Sequence, residues 1–369
     1  MNLITESQLR EWLNQLRANY TVIAPVQATS ELVLYQPLGA ADKVVLDAPR
    51  PVVSPKEFFL PATEAILTIE RVRQATAGGE PVWDVQLTET QLPRDQVLFG
   101  VRPCDVHSLT VLDALLFDEP VDTYYAQRRE RTTLVGMACA EMGPSCFCTG
   151  MGLSPDDARG MDIMLYPANE TLRVSTEKTL RVSEDPKGLA ATYILETLTD
   201  KGTTLVKGLK LDPYEGELPL KTWPPAEVKV APRQVWTQSF DDPQWSELAD
   251  RCLSCKVCAF VCPTCRCFDV RDQTVAQKPG YQKMERLRCW DACTTENYRR
   301  IAGGHNPRPA KSQRLRNRFY CKFDYYPADF GPMACVGCGR CIDLCPVNID
   351  ITEVLQQVAA KAETSEVRS

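Results

Sequence analysis

The chain has 369 residues, enough for two or three domains and for a core that needs no disulfide staples. Apolar residues make up 44% and charged residues 24%, with a net charge of −6, which fits a soluble globular protein and argues against nucleic acid as the main partner. No apolar run approaches the ~20 residues of a membrane span, and the opening MNLITESQLR lacks the basic-then-apolar pattern of a signal peptide, so the expected location is the cytoplasm.

The chain opens on an expected helix. Thr5 and Gln8 have the spacing of a capping box, and Leu9, Trp12, Leu13 and Leu16 fall on one face. Short β-like segments follow at 21–26, 31–35, 43–46, 65–69 and 81–87. Two more lead into cysteines: 96–101 runs into Arg102-Pro103-Cys104, and 132–138 runs into Cys139. Between them Asp105 is suited to cap a helix carrying Val106, Leu109, Leu112 and Leu116. The stretch 212–243 holds Pro213, Pro219, Pro224, Pro225, Pro232 and Pro243, which disfavour regular structure. A domain boundary is expected there, near residue 240. The pattern predicts an α+β N-terminal domain over 1–240 and a mainly α-helical dicluster ferredoxin domain over 241–369, closed by an amphipathic helix at 349–362.

Seventeen cysteines against two histidines, His107 and His305, favour soft thiolate chemistry over imidazole-based sites. Without an export signal, metal or redox roles outrank disulfides. Two runs read C-x-x-C-x-x-C-x-x-x-C-P, from Cys252 and from Cys335. Three closely spaced cysteines wrap a loop around a cubane, and the fourth, beside proline, reaches the other cluster when there are two. This assigns Cys252, Cys255, Cys258 and Cys345 to one 4Fe–4S cluster, and Cys335, Cys338, Cys341 and Cys262 to a second. The competing reading is a pair of zinc ribbons in a zinc-stabilised assembly module.

Cys104, Cys139, Cys146 and Cys148 lie at strand ends and in a glycine-rich loop; they suit a third cluster, zinc, or four buried thiols. Cys265, Cys267, Cys289, Cys293 and Cys321 are left over, and packing roles beside a cluster account for them. Cys289 and Cys293 have the spacing of one helix face and could bind metal. A basic stretch, Arg286, Arg288, Arg299, Arg300, Arg308, Lys311, Arg314, Arg316 and Arg318, suits a solvated face, docking onto an acidic partner, or tuning of a cluster.

The motifs GVRPCDVHSL, GMACAEMGPSCFCTGMG, CLSCKVCAFVCPTCRCFDV, RCWDAC, IAGGHNPRP and CVGCGRCIDLCP together resemble a family of iron–sulfur electron-transfer subunits. It includes the beta subunit of soluble NAD(P)-linked nickel–iron hydrogenases (sulfhydrogenases), an iron–sulfur subunit of anaerobic sulfite reductase, and subunits beside heterodisulfide reductase modules. The resemblance runs from about Gln96 onward. It implies an α-helical ferredoxin domain with two 4Fe–4S clusters and a third cluster in the N-terminal domain, for which it supports Cys104, Cys139, Cys146 and Cys148. It also implies a partner subunit with FAD and a 2Fe–2S cluster that handles NAD(P)H, and a catalytic subunit beyond. This chain has neither G-x-G-x-x-G nor a P-loop, which agrees with flavin and nucleotide being held elsewhere.

Overall fold

A computed structural model describes residues 1–369 except 41–42, 47–49, 78, 91–93, 169–190, 299 and 367–369, and except the side chains of 363–366. The first turns follow the sequence closely. After β1 (Asn2–Thr5), the Thr5 hydroxyl accepts from the Gln8 N–H and the Gln8 side chain accepts from the Thr5 N–H, which starts helix α1 (Glu6–Leu16). Leu9, Trp12, Leu13 and Leu16 are its buried face.

The remaining strands are β2 (Thr21–Gln27), β3 (Val33–Pro37), β4 (Thr63–Thr76), β5 (Gly79–Glu89), β6 (Gln96–Val101), β7 (Thr132–Met137), β8 (Ile163–Pro167), β9 (Thr192–Thr197), β10 (Asp212–Pro213), β11 (Phe268–Lys278) and β12 (Tyr281–Trp290). Seven of these and β1 form one sheet in the order β10-β1-β9-β8-β7-β6-β2-β3, in which β2, β6, β7 and β8 run parallel. Side chains alternate across it. Val97 and Phe99 pack with Trp12 and Leu13 on one face, and Leu98 and Val101 pack with Leu109 and Leu112 of α2 (Pro103–Leu116) on the other. Position 43–46 contributes only an isolated bridge, Val26 to Val44.

One boundary differs from expectation. Helix α2 is capped at Arg102, with Pro103 in its first turn, so Asp105 lies inside the helix and not before it. Proline is tolerated there because the first-turn N–H groups lack helical partners anyway.

Residues 214–232 carry no regular structure, as the prolines require. Beyond them, Trp236, Trp245, Phe319, Tyr320, Leu355 and Val358 form a helical core. Its helices are α3 (Arg233–Gln238), α4 (Gln244–Arg251), α5 (Lys311–Tyr320) and α6 (Ile351–Glu366). The C-terminal part is not helical throughout. Strands β11 and β12 form a long hairpin across Pro279–Gly280, with Gly280 at φ +74°. This hairpin pairs with β4 and β5 in a second sheet, ordered β11-β12-β4-β5, which joins strands from both sides of position 240. Arg288 of β12 is buried there against Glu64 and Asp122, with Arg128 on the other Glu64 oxygen at 2.6 Å. No helix among the described residues is long and apolar enough to cross a membrane.

Candidate metal centre

The two cysteine runs fold into loops of the same form. Ser254 and Lys256 adopt left-handed φ values of 54° and 69° in the first loop. Gly337 and Gly339 do the same, at 64° and 75°, in the equivalent positions of the second. This backbone curls the chain so that amides turn inward. The Ser254 N–H donates to Cys252 Sγ at 3.3 Å, and the Gly337 N–H donates to the Cys335 sulfur. The Ile349 N–H donates to Cys345 Sγ at 3.2 Å.

The fourth cysteine of each run crosses to the other loop. One cavity is lined by Cys252, Cys255, Cys258 and Cys345, with Cys341, Arg318 and Thr294 on its wall. Cys262, in turn, faces Cys335, Cys338 and Cys341.

A third group lies at the carboxyl ends of neighbouring parallel strands, where open α/β sheets present their sites. Cys104 is in the first turn after β6, and Cys139 lies just past β7. Cys139 neighbours Cys104 and Cys146, and Cys148 neighbours both Cys146 and Cys139. The loop that carries Cys146 and Cys148 packs directly on the second cysteine loop. The Phe147 N–H donates to Gly337 O at 2.8 Å. A Cβ on Gly337 would stand 2.6 Å from the Cys148 backbone, and one on Gly339 would stand 2.4 Å from Ser145 O. Glycine is therefore required in the second loop by packing as well as by φ, whereas Ser254 and Lys256 serve in the first.

Cationic side chains are buried around these thiols. Lys322 Nζ is buried and donates to Cys262 Sγ at 3.3 Å, Thr264 Oγ1 at 3.0 Å and Ala334 O at 2.9 Å. Arg318 is buried between Cys258, Cys341, Cys265 and Cys262, with its Nε unpartnered. Burial opposes the charge on both residues, yet the sulfurs around them hold both pKa values well above the ordinary range. Hydrogen bonding from Cys265 and the nearby Lys322 pull the Cys262 thiol down against burial. Burial above all pushes Cys335 and Cys148 up to about 12 as free thiols. A buried cation without a carboxylate is costly. These sites therefore fit an anionic, thiolate-bound group.

The basic stretch is not one solvated face. Arg288, Arg314 and Arg318 are buried, Arg286 pairs with Asp272 on the surface, and Arg299 lies outside the described residues. Cys289 and Cys293 do not share a helix face: Cys289 is in β12, opposite Asp269, and Cys293 is in the turn that follows. His305 is exposed in a turn closed by the Ile301 N–H to His305 O at 3.0 Å, and His107 is half-buried in α2. Among the described residues no three Cys, His, Asp or Glu side chains gather as ligands of a single metal ion.

Residues 251–349, which hold both loops, match the 4Fe-4S dicluster domain. The chain is also 31% identical to sulfhydrogenase 2 subunit beta of Pyrococcus furiosus, over 94% of this chain and 95% of that protein. The chain belongs to the sulfhydrogenase beta-subunit family. Its resemblance thus extends over the N-terminal sheet and not only from Gln96 onward. No solved structure matches the chain. Membership of the sulfhydrogenase beta-subunit family, together with the dicluster domain, makes it an iron–sulfur electron-transfer subunit.

Proposed function

We propose that this chain relays electrons through three 4Fe–4S clusters between an FAD/2Fe–2S subunit that handles NAD(P)H and the catalytic subunits of a nickel–iron hydrogenase-type complex. The first cluster is assigned to Cys252, Cys255, Cys258 and Cys345. Cys335, Cys338, Cys341 and Cys262 hold the second, and Cys104, Cys139, Cys146 and Cys148 the third. Each cluster supplies one-electron chemistry. The chain's own residues fix the spacing. The observation that carries this reading is the contact of Phe147 and Cys148 with Gly337, which stacks the third cysteine group on the second loop while the crossed Cys262 and Cys345 interlock the second with the first. Amide N–H groups and the buried Lys322 and Arg318 offset the negative charge that such a group carries. Flavin and nucleotide belong to the partner.

Iron, zinc and acid-labile sulfide analysis of the anaerobically purified chain tests the clusters. About twelve or more iron atoms per chain, four per cluster, are expected, and zinc without sulfide would support an assembly module instead. The complex is tested by what co-purifies. A nickel–iron pair is expected; a sirohaem protein or a heterodisulfide reductase module would place the chain in one of the other branches.

A further inference from the structure

Five cysteines remain after the three groups, and four of them come together. Cys265 and Cys267 follow the first run, in the segment that enters β11. The Asp291 N–H donates to Cys267 O at 2.9 Å, which extends the hairpin beyond Trp290 and brings the turn with Cys293 alongside. The Cys267 and Cys293 thiols lie beside each other. Cys293 also faces Cys265 and Cys321. Cys321 arrives from a third direction. It opens a π-helical turn, Cys321–Tyr325, at the end of α5, the kind of interruption that concentrates at functional sites. Cys289 stays outside, on the strand.

Cationic side chains lie beside these thiols too. Arg266 donates to Cys321 Sγ at 3.7 Å and lies 3.9 Å over the Tyr326 ring. Lys56 is buried and donates to Cys265 O at 2.9 Å and Ala259 O at 3.4 Å; burial lowers its pKa, and the Cys265, Cys262 and Cys267 sulfurs oppose that. It also lies 3.9 Å over the Trp290 ring. The Glu57 carboxylate interacts with Lys56, and an anionic group at the sulfurs adds to what stabilises the buried ammonium. Four thiolates around an iron–sulfur cube supply one, and single-metal geometry is not required, since each thiolate binds a different iron.

We propose that Cys265, Cys267, Cys293 and Cys321 hold a fourth 4Fe–4S cluster, next to the second. The proposal rests on the reading of the other three groups as clusters. The Cys262 and Cys265 thiols neighbour each other, so the second and fourth groups adjoin, and Arg318 lies between them and the first. One electron passed to this cluster oxidises its neighbour by one electron, with no atom transferred. The second cluster then becomes a junction with three neighbours, and the fourth opens a route toward the β11–β12 hairpin.

The test is iron and labile-sulfide analysis with low-temperature EPR on the full chain, purified anaerobically, beside the variants Cys267→Ala/Cys293→Ala and Cys289→Ala. About sixteen iron atoms are expected in the wild type and in Cys289→Ala, and about twelve in the double variant, with the remaining EPR signals kept. About twelve iron atoms in the wild type, a Cys267–Cys293 disulfide, or one zinc ion lost in the double variant would each overturn the fourth cluster while leaving the other three. Eight or fewer iron atoms in the wild type would overturn the three-cluster reading as well. The wild-type count decides the question even where the double variant does not fold.

Discussion

Arg340 holds both carboxylate oxygens of Asp105, at 2.5 and 2.9 Å, in a pair almost wholly removed from solvent. Asp105 follows Cys104 and Arg340 lies between Cys338 and Cys341, so one ion pair ties the third cysteine group to the second loop. Arg340 Nε donates to Pro51 O at 3.0 Å as well, and the Tyr35 hydroxyl lies 3.4 Å from Asp105 Oδ2 and 3.2 Å from Gly100 O. Removing one partner leaves an uncompensated buried charge. Asp105→Asn is expected to lower stability by about 3–5 kcal/mol. The double variant Asp105→Leu/Arg340→Met should recover most of it, because replacing both charges by apolar groups is often neutral. Thermal unfolding of the wild type, Asp105→Leu, Arg340→Met and the double variant measures the coupling; additive losses would mean that the pair is not a unit.

Packing and backbone conformation coincide at Gly337. Its φ of +64° costs a residue with a Cβ about 1 kcal/mol, and the Cβ itself meets the Cys148 backbone at 2.6 Å. Gly337→Ala is expected to push the two loops apart and to lose iron from the second and third groups together. Ser254→Gly, at the corresponding position of the first loop, should leave the iron content unchanged. Iron analysis with EPR distinguishes the two, and a Gly337→Ala protein with full iron would refute the close-approach argument.

Much of this is legible in the sequence, and the exceptions have physical causes. The capping box of Thr5 and Gln8, the strands into Cys104 and Cys139, and the paired loops are local signals, each complete within a few residues. The hairpin of β11 and β12 is hidden because FDVRDQTVAQK is exposed along its length and shows no buried alternation. Arg288 reads as part of a solvated face because its partners, Glu64 and Asp122, are remote in sequence. The grouping of Cys265, Cys267, Cys293 and Cys321 depends on a hairpin register, a turn and a π-helical turn at once, and no spacing rule reports that.

Lys322 is positioned to set the potential of the second group. Its ammonium lies 3.3 Å from Cys262 Sγ, and positive charge favours the reduced, more negative cluster. A unit charge ~7 Å from a cluster at an effective dielectric of ~20 is worth about 2 kcal/mol, on the order of 100 mV for one electron. Lys322→Met is expected to lower one cluster potential by that order and leave the first group's unchanged. EPR-monitored redox titration reads both; an unchanged or raised potential would rule out the tuning role.

The crossed ligands make the most specific claim. Cys345 is the last cysteine of the second run but lines the cavity of the first, beside Cys252, Cys255 and Cys258. Cys345→Ala is therefore expected to damage the first cluster, by loss of about one iron or of the whole cube, and to spare the second. Cys262→Ala should do the reverse, because Cys262 faces Cys335, Cys338 and Cys341. The two variants serve as each other's control, since both remove one thiol before a proline. Mössbauer and EPR spectra of the pair separate the cases. If each variant loses the cluster of its own run, the loops are not interlocked, and the second cluster no longer shares a ligand strand with the first.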